Sequence, residues 1–455
     1  MHVLNRLSWR LLGCDAAFAG WLLAAQLWLG LLWFFQQGFG VARGVILCGL
    51  LIGLVALRLF PRRRSVEAPV GATSLTFALR VLLAMVLVLD ASLMIVSTTT
   101  SFRSGKIPMD EGQTSWRGAQ LLWQGENPYG AGALVDLGAY GSRVPQRVAA
   151  GVASSLNGPS LTQALARYRA TLDANLRARL LPVSPEPTQS AAQELRVYGY
   201  KYGPVILLLT ALVTPFGAPG AVMLLNGLAC FALFAVNWRI LRRIAGPQIA
   251  LAGAAVMALL LDRHITRNYI DRSATDVWAL LFGSLAVLAC MSRRPLAAAA
   301  AVALAVGCKS MPGLMFLPLL FRFRSPAPVL TFAGLSALLF LPWLLRDPLG
   351  LVDNVFLWPF FMAPDSTSWE YFAPAWATLV ARVVALCALA ALWLRHLSGS
   401  EPRLFWTLAM SGPVVLLASG VLRNGYIPWA SLWTVAAIVE AFAGGLRAEA
   451  ASRPQ

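Results

Sequence analysis

Long apolar runs recur along this chain, and short arginine clusters separate many of them. A helix needs about 20 apolar residues to cross the hydrocarbon core of a bilayer, with a range near 17 to 25. Hydrophobic residues make up 58% of the chain and charged residues only 13%, which is too little polar cover for a soluble surface. The sequence therefore predicts an all-α polytopic membrane protein. Its candidate spans are residues 17–35, 45–60, 76–96, 218–238, 249–261, 277–291, 327–345, 375–394, 404–421 and 427–442.

The basic residues give the chain a net charge of +17, but they stand in clusters between apolar runs, as at 62–64, 239–243, 293–294 and 322–324. This is the pattern of the positive-inside rule, so we place these clusters in the cytoplasm and expect no nucleic-acid partner. The six cysteines lie within or beside apolar runs without metal-binding spacing, and we interpret them as buried small hydrophobic residues. The first apolar run lacks a cleavage-site pattern, so we expect a retained span.

Placing the clusters inside gives twelve crossings with both termini in the cytoplasm. The apolar run 205–216 is too short to span and is expected to be a re-entrant or interfacial helix. Residues 295–321 are expected to form two short helices that meet near Lys309, because Pro312 follows it. The resulting order is two extra N-terminal spans and a basic loop (1–75), a span (76–97), a long outer loop (98–203), a core (204–345), a second outer loop (346–375), and C-terminal spans with a tail (376–455).

The long outer loop has a motif-like sequence at each end. The first begins at the adjacent acids Asp110 and Glu111, continues as an amphipathic helix predicted over 114–124, and ends in Gly-Glu-Asn-Pro-Tyr at 125–129. Gly125 is expected to cap that helix. The second is Tyr-Lys-Tyr-Gly-Pro at 200–204. Residues 161–180 between them resemble a surface helix, and 182–193 a Pro/Ser/Gln-rich linker.

The order of these motifs, followed by Lys-x-x-Pro at 309–312 and Arg-Phe-Arg at 322–324, resembles the GT-C glycosyltransferases. More narrowly, residues 76–324 are similar to the polyprenol-phosphate-mannose-dependent mannosyltransferases of glycosyltransferase family 87 and its DUF2029 relatives. The resemblance implies a GT-C-like multi-helix fold, a lipid-phosphate-linked sugar donor and a catalytic acid in the first outer loop. That acid carries over most naturally onto Asp110, while the family's spacing to Gly-x-Asn-Pro-Tyr fits Glu111 equally well.

The predicted chemistry needs a base but no general acid, because the donor's leaving group is already a phosphate. A positioned carboxylate, Asp110 or Glu111, would take the proton of the acceptor hydroxyl, a contribution of roughly 100- to 10,000-fold. Either acid could instead be solvated or act as a helix N-terminal residue. We expect no cofactor and no metal, since the first loop has no Asp-x-Asp. Cations are needed for the departing phosphate, and the candidates are Lys309, Arg267, Arg272, Lys201, His264 and Arg423.

Polar and aromatic residues of the outer loops are candidates for binding the sugar or the acceptor, although an interfacial aromatic belt explains several of them nearly as well. These candidates are Gln113, Trp116, Asn127, Tyr129, Tyr200, Tyr202 and Trp369. The sequence thus predicts an inverting membrane glycosyltransferase of the cell inner (plasma) membrane, acting on its extracytoplasmic side. Its partners would be a polyprenyl-phosphate sugar donor, a lipid or glycan acceptor and membrane lipids. The alternatives are a transporter or flippase without covalent chemistry, and a non-catalytic protein that binds a lipid-linked sugar.

Overall fold

The structure is a computed structural model of the 455-residue chain. It describes residues 70–105, 107, 110–129, 200, 202–216, 219–264, 269–270, 274–323, 325–357, 380, 383–387, 389–391, 393, 404–418 and 427–451. Almost all of these residues are helical, and none is in a strand. The predicted spans at 17–35 and 45–60 lie outside the described residues, as do much of that at 375–394 and the loop segment 131–199.

The chain divides into two compact units. The first comprises residues 1–82 and 441–455, of which the structure describes only helical ends. The second comprises residues 83–440, and it contains all the contacts described below. The candidate functional residues that the structure describes therefore belong to a single unit.

Twelve α-helices are described, several of them extended by 3-10 or π segments. They are α1 (Val70–Ser104), α2 (Asp110–Trp123), α3 (Pro204–Val213, then 3-10 over Thr214–Phe216), α4 (Pro219–Ile244), α5 (Pro247–His264), α6 (Asp276–Met291), α7 (Pro295–Cys308), α8 (Ser310–Gly313, then 3-10 over Leu314–Arg322), α9 (Ala327–Arg346), α10 (Pro348–Leu351, then π over Val352–Leu357), α11 (Leu404–Ala418) and α12 (Ile427–Ala451).

Three of the described helices are long and apolar enough to cross a membrane: Leu79–Ser104, Pro219–Ile244 and Ala327–Arg346. Shorter apolar helices cover Pro204–Phe216, Pro247–Ala258, Asp276–Met291, Pro295–Cys308 and Ser431–Glu440. The described part of the chain is thus compatible with the predicted all-α membrane protein. The count of twelve crossings, the GT-C fold and the sidedness of the loops stay predictions.

Helix α7 lies at the centre of the described core. It packs against α6 and α9, while α6 also packs against α4. Its sequence is rich in alanine and includes Gly307, and small side chains allow neighbouring helices to approach closely, as is common in membrane proteins. Most of its residues are buried, which is expected of a helix that is apolar on every face.

The helical path breaks at Lys309, where the sequence predicts an interruption. Helix α7 ends at Cys308, and Lys309 is extended with φ −148° and ψ 108°. The segment after the break differs from the single short helix that is expected there. It consists of one α-helical turn followed by a 3-10 segment that ends at Arg322. Pro318, inside the 3-10 segment, lacks the N–H that an α-helix would need at that position, whereas Pro312 lies in the first turn, where none is needed.

Helix α3 covers most of the apolar run predicted to be too short to span. Pro204 occupies its first turn, where the missing N–H costs nothing. The residue before it, Gly203, lies directly against the end of α7 and donates a hydrogen bond from its N–H to the Cys308 carbonyl at 3.1 Å. This contact places the second loop motif beside the break at Lys309.

Candidate functional site

Helix α2 positions the two adjacent acids, Asp110 and Glu111. It begins at Asp110, four residues before the predicted start, so both acids belong to its first turn rather than preceding it. Carboxylates are favoured there because the helix dipole leaves partial positive charge at the N-terminus. The helix ends at Trp123, and Gly125 has a φ of 78°, the left-handed conformation expected of the predicted capping glycine.

Glu111 is buried and is held by Thr275, at the start of α6. Its Oε2 accepts hydrogen bonds from the Thr275 N–H at 3.0 Å and from the Thr275 hydroxyl at 3.3 Å. Its Oε1 lies 3.7 Å from Nζ of Lys309. The two carboxylate oxygens therefore face different partners.

Lys309 forms an ion pair with Asp276, the residue after Thr275, in addition to facing Glu111. The side chains of both acids are buried, and that of Lys309 is 18% exposed. The Tyr202 ring centroid lies 5.9 Å from Nζ, within the range of a cation–π contact. We call Glu111, Thr275, Asp276 and Lys309 the polar cluster.

Three segments distant in sequence meet in the polar cluster: the first turn of α2, the N-terminal end of α6 and the break after α7. Burying charges is costly unless they are paired and hydrogen-bonded, and here each acid has a cationic neighbour. With all three ionised, the two acids exceed Lys309 by one negative charge. The cluster therefore attracts a further cation, and it repels an anion unless other cations assist.

An aromatic group lies beside the cluster and joins the two ends of the long loop. Tyr129 packs edge-on against Tyr200 and Trp343, with ring centroids 5.5 and 5.2 Å apart, and Tyr200 packs in the same manner against Tyr202 at 5.6 Å. The Tyr129 hydroxyl donates to the Tyr202 carbonyl at 3.1 Å. The Tyr200 N–H donates to the Pro128 carbonyl at 2.9 Å. The two motifs of the long loop, at 125–129 and 200–204, are thus in contact with each other next to Lys309.

Burial favours the neutral form of two of these tyrosines. It raises the pKa of Tyr129 well above its usual value, and the neighbouring Tyr200 raises it further. Burial likewise raises the pKa of Tyr200, against the opposing effect of its hydrogen bond with Ser115, and Cys308 and Glu111 add to the rise. Both hydroxyls, which are neutral at physiological pH even with an ordinary pKa, thus stay protonated further into the alkaline range, which suits packing and hydrogen bonding rather than service as a base.

The structure brings together five of the residues predicted from sequence: Glu111, Lys309, Tyr129, Tyr200 and Tyr202. Two others have contacts that stabilise the fold, since Trp116 packs against a buried apolar cluster and the Asn127 side chain accepts the Tyr129 N–H at 3.2 Å. Gln113 is half-buried on α2. The side chains of Asp110 and His264, whose backbones begin α2 and end α5, lie outside the described part of the chain. So do Lys201, Arg267, Arg272, Trp369 and Arg423.

Sequence reasoning missed Thr275 and Asp276, which it treated only as the end of a short outer loop. A usable signal was present, because an acid in the first turn of an apolar helix is costly to bury and needs a partner. Nothing in the local pattern identifies that partner as Lys309.

Comparison with known proteins finds no relative of this chain. No protein-family profile, characterised protein or solved structure matches it. The functional interpretation therefore rests on the polar cluster and on the motifs around it.

Proposed function

We propose that this protein is a membrane glycosyltransferase that transfers a sugar from a polyprenyl-phosphate donor to an acceptor hydroxyl on the extracytoplasmic side. The sugar is mannose by the resemblance of the loop motifs. The observation that carries the proposal is a buried carboxylate, Glu111, held 3.7 Å from Lys309 at the start of the long loop. A fixed carboxylate beside a fixed cation is what a displacement with a phosphate leaving group requires.

The reaction is an inverting displacement at the anomeric carbon. The acceptor oxygen forms a bond to that carbon as the bond from carbon to the donor phosphate oxygen breaks. The polyprenyl phosphate leaves with the electron pair, and the acceptor proton passes to a carboxylate. Glu111 is our candidate for that carboxylate, because Thr275 binds only its Oε2, and we assign the reaction to Oε1, the oxygen that faces Lys309. Asp110, the adjacent residue of the first turn, is the alternative base.

The donor phosphate needs more positive charge than Lys309 supplies. Two acids already face the Lys309 ammonium, so this lysine alone would not offset the charge of an incoming phosphate. We therefore propose that Lys309 acts with other cations of the predicted outer face. The candidates remain Lys201, His264, Arg267, Arg272 and Arg423.

A transporter or flippase is the competing function, and the interruption between α7 and α8 favours it to some degree. Broken helices with charged residues at the break form the binding sites of many secondary transporters. The two functions differ in whether a covalent bond of the lipid-linked substrate is broken.

The test uses purified protein in proteoliposomes with polyprenyl-phosphate [³H]mannose and a membrane-lipid extract as the acceptor source. The transferase predicts release of unglycosylated polyprenyl phosphate and appearance of label in a new product, neither of which occurs in protein-free liposomes. Movement of intact donor between leaflets, without release, would support the transporter and contradict the transferase.

A further inference from the structure

We propose that Thr275 and Asp276 are positioning residues that hold Glu111 and Lys309 as a matched pair. The effect on turnover rests on the proposed function, whereas the effect on Lys309 itself does not. Consecutive residues of one helix end bind side chains of opposite charge: Thr275 binds the carboxylate of Glu111, and Asp276 binds the ammonium of Lys309. The spacing between the acid and the lysine is thus set by α6.

Thr275 fixes the orientation of the Glu111 carboxylate. Both of its hydrogen bonds go to Oε2, one from the backbone and one from the hydroxyl. The backbone donor cannot rotate away, since it belongs to the start of a packed helix. Oε1 is consequently directed toward Lys309.

Asp276 fixes Lys309 from the opposite side. Its own helix is well packed at this end, because Asp276 is 3% exposed and the residues that follow include the fully buried Val277, Ala279 and Leu280. Lys309 itself lies in extended backbone between two helical segments and lacks the support of a regular helix. The Asp276 carboxylate therefore determines where the ammonium lies.

Loss of the Asp276 charge would leave Glu111 as the principal acidic partner of Lys309 in the cluster. The ammonium, faced by one acid instead of two, would no longer be held in place and would shift relative to Oε1, the oxygen assigned to the reaction. In Asp276→Asn we expect kcat to fall roughly 10- to 100-fold, the scale of loss from a small misplacement of reacting groups, with a smaller change in KM for the donor. Asp276→Glu should recover part of kcat.

Thr275 offers a graded comparison. Thr275→Val removes only the hydroxyl bond and keeps the backbone bond, so we expect a loss of only a few-fold. Thr275→Ser keeps both donors and should resemble the unmodified protein. If the Thr275 hydroxyl had only a structural role, the serine and valine variants would have the same kcat whenever their thermal stabilities are equal.

The test of the proposal is amine labelling of Lys309 in the full-length protein without substrate. The chain contains only the lysines Lys106, Lys201 and Lys309, so mass spectrometry can follow each separately after acetylation by an N-hydroxysuccinimide ester. Loss of a close opposite charge lowers the proton affinity of an amine by 1–3 pKa units, so Asp276→Asn should label Lys309 on the order of tenfold faster or more. Glu126→Gln, which alters an exposed acid after α2, should leave the rate unchanged.

Equal labelling of Lys309 in the unmodified protein and in Asp276→Asn would overturn the proposal, whether or not the protein is a transferase. Asp276→Ser serves in place of Asp276→Asn if the asparagine variant is not recovered folded. Faster labelling without any donor turnover by the unmodified protein would support the positioning role and contradict the proposed function. Where turnover is measurable, Asp276→Asn should have no further effect on kcat in a Lys309→Met background, since it acts through Lys309.

Discussion

The ammonium of Lys309 lies 3.7 Å from Oε1 of Glu111, although Lys309 follows the central helix α7 and Glu111 belongs to the first turn of α2. The cluster around this contact combines three ionisable side chains at the junction of three segments. Its energetics and its chemistry can be tested separately.

Removing the cation should destabilise the protein. Lys309→Met leaves Glu111 and Asp276 as neighbouring buried acids without the lysine, and breaking a buried pair costs about 3–5 kcal/mol. Because Lys309 is partly exposed to solvent, which screens the charge interaction, we expect a loss of about 2 kcal/mol. A thermal melt in detergent should show a lower transition temperature. The triple variant Lys309→Met, Glu111→Gln, Asp276→Asn should melt higher than Lys309→Met alone, and a further decrease would contradict the charge argument.

Gly203 should not tolerate a side chain. A Cβ at this position would lie 1.9 Å from the carbonyl oxygen of Gly307, a backbone atom that cannot rotate away. Gly203→Ala should therefore separate α3 from the end of α7 and cost about 1–3 kcal/mol or more. Gly246→Ala is the matched control, because its Cβ would meet nothing within 4 Å. Equal melting temperatures for the two variants would show that the close approach is absent.

The polar cluster should survive excision of the middle of the long loop. The Tyr200 N–H already bonds the Pro128 carbonyl at 2.9 Å, so a linker of about five Gly and Ser residues can replace 131–199. We expect a monodisperse protein with slow labelling of Lys309. A deletion that also removes Tyr129 and Tyr200 should lose the folded species. Loss of the folded species in both deletion variants would show that the contacts between residues 128–129 and 200–202 are not sufficient to maintain the polar cluster.

Alkaline pH should weaken the aromatic group. The pKa values of Tyr129 and Tyr200 are raised in the folded protein, so their contribution to stability is complete below about pH 10, the unfolded value, and is lost as pH rises further toward the folded values. Between pH 10 and 11 the melting temperature should fall more steeply in the unmodified protein than in the double variant Tyr129→Phe/Tyr200→Phe. Parallel curves would contradict the assigned shifts.

Local patterns in the sequence were sufficient to predict some of these features. Backbone chemistry predicts a helix break near Lys309, because Pro312 follows it, and a helix cap at Gly125. The structure has an interruption at Lys309 and a left-handed conformation at Gly125. The predicted start of α2 is four residues late, because Asp110 and Gly112 are poor helix formers in isolation, and the first turn is helped by the N-terminal charge effect on its acids.

The composition of the cluster could not be predicted in the same manner. Glu111 and Thr275 are 164 residues apart, and their contact depends on how α2 docks against α6. Hydrophobic periodicity identifies the helices but not the pairing of their ends. For that reason Lys309 was interpreted only as a phosphate ligand, whereas the structure also makes it the partner of two acids.

The most direct measurement of the central claim is single-turnover release of polyprenyl phosphate by three matched carboxylate variants. We predict that Glu111→Gln lowers the rate at least about 100-fold, the lower end of the contribution of a positioned base, while Glu126→Gln retains the full rate. A comparable loss in Asp110→Asn, with Glu111→Gln unaffected, would transfer the role of the base to its neighbour. Full rates in both Glu111→Gln and Asp110→Asn would contradict the proposed mechanism.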